Sequence, residues 1–317
     1  MSDGLFSGVV DYLRDEGGES KLLLRRAAGS GPPALYIHGA TFPSALSVGY
    51  RFEGRSWMED LAEAGFDVWA FDFAGYGGSD RPDGFARPAE GQAPIGRANE
   101  VCAQLARVVD HIVAVTGHAR IAIVAHSWGT MVAGLYASRR PDRVARLVLF
   151  GPIAQRAPQP NPNAGSPPPI GGWRTVSVAQ QLARFVEDVP HGHPSVLIEP
   201  SLATWGPAYL ATDPESALRK PEPAVKIPAG PSADIAAAWA GDLAYDPTEI
   251  AAPTLIVRGE WDHLCSDDDA RWLLSRFRGR GSRDVKIPEG AHLMHLERGR
   301  ARLFAATNSF LREESQS

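Results

Sequence analysis

Three side chains of this sequence have the types and settings that nucleophilic catalysis needs. The apolar run Ile121-Ala122-Ile123-Val124-Ala125 ends abruptly at His126-Ser127-Trp128-Gly129, and a helix-like stretch follows. A serine hydroxyl is a weak nucleophile at neutral pH. It has to be held at a fixed, strained turn within hydrogen-bond reach of a base, and the base in turn has to be oriented by a third group. Candidate partners lie far downstream: Asp262 in Gly259-Glu260-Trp261-Asp262, and His292 in Glu289-Gly290-Ala291-His292. An imidazole at 292 would take the Ser127 proton and return it to a leaving group. A carboxylate at 262 would hold the imidazole's tautomer and stabilise its charged form. His295 is the rival base and Glu260 the rival acid.

The elements that must position these residues follow from hydrophobic periodicity. Short apolar runs at 34–37, 67–72, 121–125, 144–150, 254–258 and 285–287 suit strands of a parallel sheet, which helices cover on both faces. Residues 9–13 and 21–25 are further strand candidates, separated by a turn at 16–19. Ser56 is placed to cap a helix running to about residue 64. Between 95 and 115, Ile95, Ala98, Val101, Cys102, Leu105, Val108, Val109, Ile112 and Val113 recur at spacings of three and four, which predicts an amphipathic helix. Cys102 lies on its apolar face and reads as a small core side chain. Further helices are predicted from Ser127 to about 139, at 266–277 and at 296–311. Strand alternating with helix predicts an α/β fold: a mostly parallel central sheet, right-handed crossovers and helices on both faces.

That rhythm breaks at Gly151-Pro152. Residues 153–246 are rich in proline and alanine, with helical stretches at 177–187, 214–220 and 232–240. A low-complexity piece at 158–172 is expected to be a mobile loop. The reading is a mostly helical cap at 153–246 inserted into a core formed by 1–152 and 247–317.

Composition narrows the partners. Hydrophobic residues make up 44% and charged residues 22% of the 317, ordinary values for a globular protein. A net charge of −5 gives no electrostatic footing for nucleic acid or an anionic membrane. No apolar run approaches the ~18–20 residues of a membrane span. The N-terminal stretch through Gly18 lacks a basic region followed by an apolar one, so no secretory leader is expected. The two cysteines make no disulfide framework, which suits the cytoplasm. Nothing calls for a metal or a cofactor, and the oligomeric state is open.

Several motifs now stand in a definite order: His38-Gly39, a glycine-rich loop at 75–82, Ala125-His126-Ser127-Trp128-Gly129, the stretch 259–262 and the stretch 290–297. Together they resemble the α/β-hydrolase superfamily, in its capped branch of small serine esterases and lactonases, over nearly the whole chain. The order Ser…Asp…His, each just past a strand end, is that family's, and chemistry in open α/β sheets collects at that edge. The resemblance favours His292 over His295, because Gly-x-His is followed shortly by Leu-Glu. It favours Asp262 over Glu260, as the fourth position of Gly-Glu-x-Asp. Some families carry the acid one strand earlier, where Phe150-Gly151-Pro152 offers none.

The resemblance also implies an oxyanion site made by the backbone N–H groups of Trp128 and of Ala40, with Thr41 as neighbour. His38 would brace that loop and His126 would be a structural hydrogen-bonding residue. Two departures stand out. Alanine replaces the usual glycine at 125, and the loop after His38-Gly39 is long, carrying Phe42, Leu46, Tyr50 and Phe52. That loop either forms part of a substrate wall or packs its own aromatics. Thr41, Phe42, Trp205 and Trp239 are the substrate-contact candidates, although aromatics of 153–246 serve equally well as cap core.

The implied activity is cleavage of a small-molecule hydrophobic acyl substrate, an ester or lactone, through an acyl-enzyme on Ser127. Amide, thioester and carbon–carbon bond hydrolysis use the same three residues, and a non-catalytic small-ligand receptor is the alternative of a different class. Haloalkane dehalogenases and epoxide hydrolases of this fold use aspartate as nucleophile, against which Ser127 argues.

Overall fold

Alternation along the central strands explains the architecture. In β3 (Pro33–Ile37), β5 (Ile121–His126) and β6 (Val144–Phe150), Leu35, Ile37, Ile123, Ala125, Leu147 and Leu149 point into one hydrophobic core. Ala34, Tyr36, Val124, Val148 and Phe150 point into a second. A strand buried on both faces is apolar along nearly its whole length, and these runs are, apart from His126 at the end of β5 and Arg146 in β6. The computed structural model describes residues 4–14, 20–158 and 169–313. The turn expected at 16–19 and most of the low-complexity stretch, residues 159–168, lie outside the described residues.

The remaining sheet strands are β1 (Val9–Leu13), β2 (Leu22–Ala27), β4 (Asp67–Phe71), β9 (Thr254–Gly259) and β10 (Arg283–Ile287). The eight strands lie in the order β1-β2-β4-β3-β5-β6-β9-β10. Neighbours from β4 to β10 are parallel, while β2 runs antiparallel to both β1 and β4. One face is covered by α2 (Ala98–Thr116) and α3 (Gly129–Arg139), the other by α1 (Trp57–Glu63) and α8 (Arg300–Arg312). A third, smaller core forms where α7 (Asp267–Leu274) meets β9. The α/β fold read from the sequence is the fold observed. Ser56 caps α1 as expected, its hydroxyl accepting from the Glu59 N–H while the Glu59 carboxylate accepts from the Ser56 N–H. Cys102 is buried on the apolar face of α2. Among the described residues no helix is long and apolar enough to cross a membrane.

Residues between β6 and β9 depart more from the sequence reading. Helices α4 (Val178–Val186) and α6 (Gly230–Trp239) match two predicted stretches. The stretch at 214–220 holds only a 3-10 turn, Ser216–Leu218, bracketed by Pro214 and Pro221. A helix not foreseen, α5 (Trp205–Leu210), carries Pro207 in its first turn, where a missing N–H costs no intrahelical bond. Also unforeseen is an antiparallel pair, β7 (Trp173–Ser177) with β8 (Ala224–Pro228), so the segment is not purely helical. The long loop after Gly39 holds a 3-10 turn at Ser44–Leu46 and buries Phe42, Leu46, Tyr50 and Phe52. Tyr50 packs on Phe52 and Phe6, whereas Phe42 meets Phe185 and Trp205. The reading in which the loop packs its own aromatics describes Tyr50 and Phe52.

Candidate active site

Ser127 follows β5 directly and turns the chain into α3 with φ +54. A left-handed serine costs roughly 1–2 kcal/mol. The turn is held by the Ser127 N–H donating to the Phe150 carbonyl (2.9 Å) and by Thr130, whose N–H and hydroxyl both donate to the Ser127 carbonyl (2.9 and 2.6 Å). Tight turning forces small neighbours. A Cβ on Gly129 would lie 2.4 Å from the His38 carbonyl oxygen, and one on Gly39 would lie 3.2 Å from the Ser127 Cβ. The methyl of Ala125, by contrast, is accommodated in the core.

The structure brings Ser127, His292 and Asp262 together. His292 Nδ1 lies 2.9 Å from Asp262 Oδ2, and His292 Nε2 lies 2.8 Å from Ser127 Oγ. A carboxylate only accepts, so Nδ1 carries the proton and Nε2 has its lone pair free for the serine hydroxyl. Asp262 is itself held, its Oδ1 accepting from the N–H groups of Leu264 (2.9 Å) and Cys265 (3.2 Å). All three residues are almost fully buried. A hydroxyl, an imidazole and a carboxylate joined in this way can move a proton off the hydroxyl as it attacks an acyl carbon.

The rival groups lie elsewhere. His295 sits in a 3-10 turn, Met294–Leu296, with α8 beginning only at Arg300. Its ring packs against His126, Phe150 and Phe42, and burial pushes it down to about 3, so it stays neutral. Glu260 is exposed, and its carboxylate accepts from the Glu289 N–H. The acids Asp267, Asp268 and Asp269 lie in the first turn of α7, capped by Ser266.

The loop at 38–42 lies beside Ser127. His38 accepts the Phe73 N–H on Nε2 (3.2 Å) and hence donates from Nδ1 to the Gly39 carbonyl (2.7 Å), which ties the loop to the end of β4. Tyr76 donates its hydroxyl to the Ala40 carbonyl (2.7 Å). Among the described residues, the backbone N–H groups of Ala40 and Trp128 have no protein acceptor. His126 stacks on Phe150 and donates Nε2–H to the His292 carbonyl (3.1 Å); burial, then the neighbouring His295 and His292, hold it well below the ordinary imidazole value.

Of the substrate-contact candidates, Thr41 bonds to Gln181, while Phe42 and Trp205 share a buried aromatic cluster with Phe185. Trp239 is placed apart from that cluster, with the Arg156 guanidinium over its ring. Glu187, Asp188 and His263 bring three ligand-type atoms within 4.8 Å of one another, and the Asp188–His263 pair links the segment after β6 to the loop carrying Asp262.

Sequence reasoning missed two residues here. Gly151 ends β6 at φ +54, and a Cβ there would stand 2.9 Å from His292 Nδ1 and 3.0 Å from Asp262 Oδ2. Gly151→Ala is therefore expected to lower kcat on an aryl ester about a hundredfold by displacing the imidazole, and stability by about 1–2 kcal/mol. A variant within threefold of the parent would show that the ring relaxes freely.

The second is Glu297, which stood in the 290–297 motif with no role of its own. It is buried, its Oε2 accepts the Ala291 N–H (3.2 Å), and it also bonds to the Leu293 N–H, so it grips the backbone on both sides of His292. Burial, reinforced by the Asp262 charge, lifts its carboxyl from 4.5 to about 7 despite those N–H donors. The folded chain thus holds a proton that the unfolded chain has released, and stability falls as pH rises from 4.5 towards 7. The loss is on the order of 3 kcal/mol by about pH 8, at roughly 1.4 per pH unit. Glu297→Gln cannot ionise and should gain on the parent by that amount across this window in urea unfolding; a constant difference would contradict it.

Residues 32–299 match the profile described as the alpha/beta hydrolase fold. A haloalkane dehalogenase of Mycolicibacterium paratuberculosis is 30% identical over 168 residues, which is 51% of this chain and 44% of that protein. The chain spans less than half the length of the curated relatives it matches. A probable hydrolytic enzyme from Pseudomonas aeruginosa PAO1 superposes with TM-score 0.63 at 20% identity, covering 97% of this chain and 96% of that one. A serine hydrolase involved in carbazole degradation superposes with TM-score 0.62 at 20% identity, covering 96% and 99%. With the profile spanning most of its length, the chain belongs to the alpha/beta hydrolase fold family.

Proposed function

We propose that this protein is a serine hydrolase that cleaves a small hydrophobic ester or lactone through an acyl-enzyme on Ser127. The observation carrying the reading is the continuous hydrogen-bond relay from Ser127 Oγ through His292 to Asp262. His292 takes the hydroxyl proton as Oγ attacks the acyl carbon, then delivers it to the leaving oxygen. Water repeats the sequence to free the acid. The Ala40 and Trp128 N–H groups receive the oxyanion, and their lack of a protein acceptor supports that role. Displacement at a saturated carbon, which the name of the dehalogenase relative implies, uses a carboxylate nucleophile in this fold, whereas a hydroxyl stands here. Phe42, Phe185 and Trp205 favour an apolar acyl or aryl group, with the segment 153–246 acting as a cap.

A fluorophosphonate probe should form one adduct, mapped by mass spectrometry to the peptide containing Ser127. A graded panel of aryl esters, lactones and thioesters should then identify the acyl group. No adduct and no turnover of any panel member would favour a small-ligand receptor instead.

A further inference from the structure

Two side chains from the segment between β6 and β9 reach Trp128, proposed to bind the oxyanion, and Thr41, the neighbour of Ala40. Asp234 on α6 is 3% exposed and accepts three hydrogen bonds. Its Oδ2 accepts from Trp128 Nε1 (2.9 Å) and from the Ala98 N–H at the start of α2 (2.7 Å), and its Oδ1 accepts from Arg97 Nε (2.8 Å). Gln181 on α4 is fully buried and exchanges two bonds with Thr41. Its Nε2 donates to the Thr41 carbonyl (3.2 Å), and its Oε1 accepts from the Thr41 hydroxyl (3.3 Å). Neither Asp234 nor Gln181 is within the Ser127–His292–Asp262 relay. One grips the residue that follows the nucleophile, and the other grips the residue that follows Ala40.

We propose that Asp234 and Gln181 are positioning residues for the oxyanion site, so that the segment 153–246 governs transition-state stabilisation as well as access; this rests on Ser127 being the nucleophile.

The physical case begins with cost. A carboxylate buried to this degree is tolerated only when its oxygens are satisfied, and Asp234 spends them on two core sites at once. Its bonds to Ala98 and Arg97 fix it relative to the sheet, because α2 packs along that face. Its bond to the indole then anchors Trp128 at the far end of a rigid side chain, just after a serine held at positive φ. On the other side, Gln181 holds both polar groups of Thr41, while Tyr76 holds the Ala40 carbonyl from the core. The indole of Trp128 and the polar groups of Thr41, the residue after Ala40, are thus each held by a side chain more than a hundred residues away in sequence. Oxyanion stabilisation is steep in geometry: a misplacement of about 1 Å costs roughly a hundredfold, and loss of one donor roughly a hundred- to a thousandfold.

The test uses the full chain, p-nitrophenyl acetate turnover and inhibition by phenylboronic acid, whose tetrahedral adduct on serine places an oxygen where the oxyanion forms. Asp234→Ala and Gln181→Leu should lower kcat tenfold or more with KM within threefold, and should weaken the boronate by the same factor as kcat. Asp234→Asn, which keeps a carbonyl acceptor for the indole N–H, should stay within threefold of the parent. Trp128→Phe should lose as much as Asp234→Ala. Folded variants whose kcat and boronate affinity both stay within threefold would overturn the proposal, as would an Asp234→Asn no better than alanine, or a rise in KM at unchanged kcat. If Asp234→Ala does not fold, Gln181→Leu and Trp128→Phe decide by the same measures. Failure of a fluorophosphonate to label Ser127 in the unaltered chain would instead sink the reading of the site on which the proposal rests.

Discussion

Ser127→Ala is expected to lower kcat on a short aryl ester by roughly a millionfold, and His292→Ala by about as much. The double variant should be no worse than either. The two side chains act as one unit, a hydroxyl delivering its proton to the nitrogen 2.8 Å away, and removing either ends the nucleophilic route. What would remain is polarisation of bound substrate by the N–H groups proposed to receive the oxyanion, worth about a thousand- to ten-thousandfold over water. Single-turnover kinetics on well-folded variants checks this. Losses below a hundredfold, or losses that multiply in the double variant, would show that turnover does not pass through Ser127.

Asp262→Asn should cost about ten-thousandfold while leaving the backbone in place. The reason lies in the donors around the carboxylate. Leu264 and Cys265 both aim N–H groups at Oδ1, so an asparagine at 262 must turn its carbonyl oxygen towards them. Its NH2 then faces His292 Nδ1, which can only accept from it. The imidazole proton moves to Nε2, and that nitrogen no longer accepts from the serine hydroxyl. A fall in kcat below tenfold would mean that Asp262 is not the group that sets the tautomer.

Much of this was legible in the sequence because each of the three residues lies within a few positions of a strand end, and the position of a strand end is a local signal. Ser127 after 121–125 needed no tertiary information to be found, while Asp262 was separated from Glu260 by the family pattern. The choice between His292 and His295 did need it, or a family resemblance in its place: the two are three residues apart, and only the folded chain shows one bonded to Ser127 and the other packed among Phe42, His126 and Phe150. The pairing of β7 with β8 was invisible because its partners lie far apart in a proline-rich stretch with no alternating pattern. Asp234, Gln181 and Gly151 give no local signal at all. An aspartate in an alanine-rich helix and a glutamine inside α4 look like solvated positions, and their meaning arises only from bonds to Trp128 and Thr41.

The burial of the site has a kinetic consequence. Ser127 is 3% exposed and His292 2% exposed, so little of either residue meets solvent in this conformation. The expected result is that a first-order opening of the chain precedes reaction. A plot of labelling rate against fluorophosphonate concentration should therefore bend to a plateau, and the height of that plateau should be the same for probes of different intrinsic reactivity. It would measure the protein's own breathing, not the chemistry of the reagent.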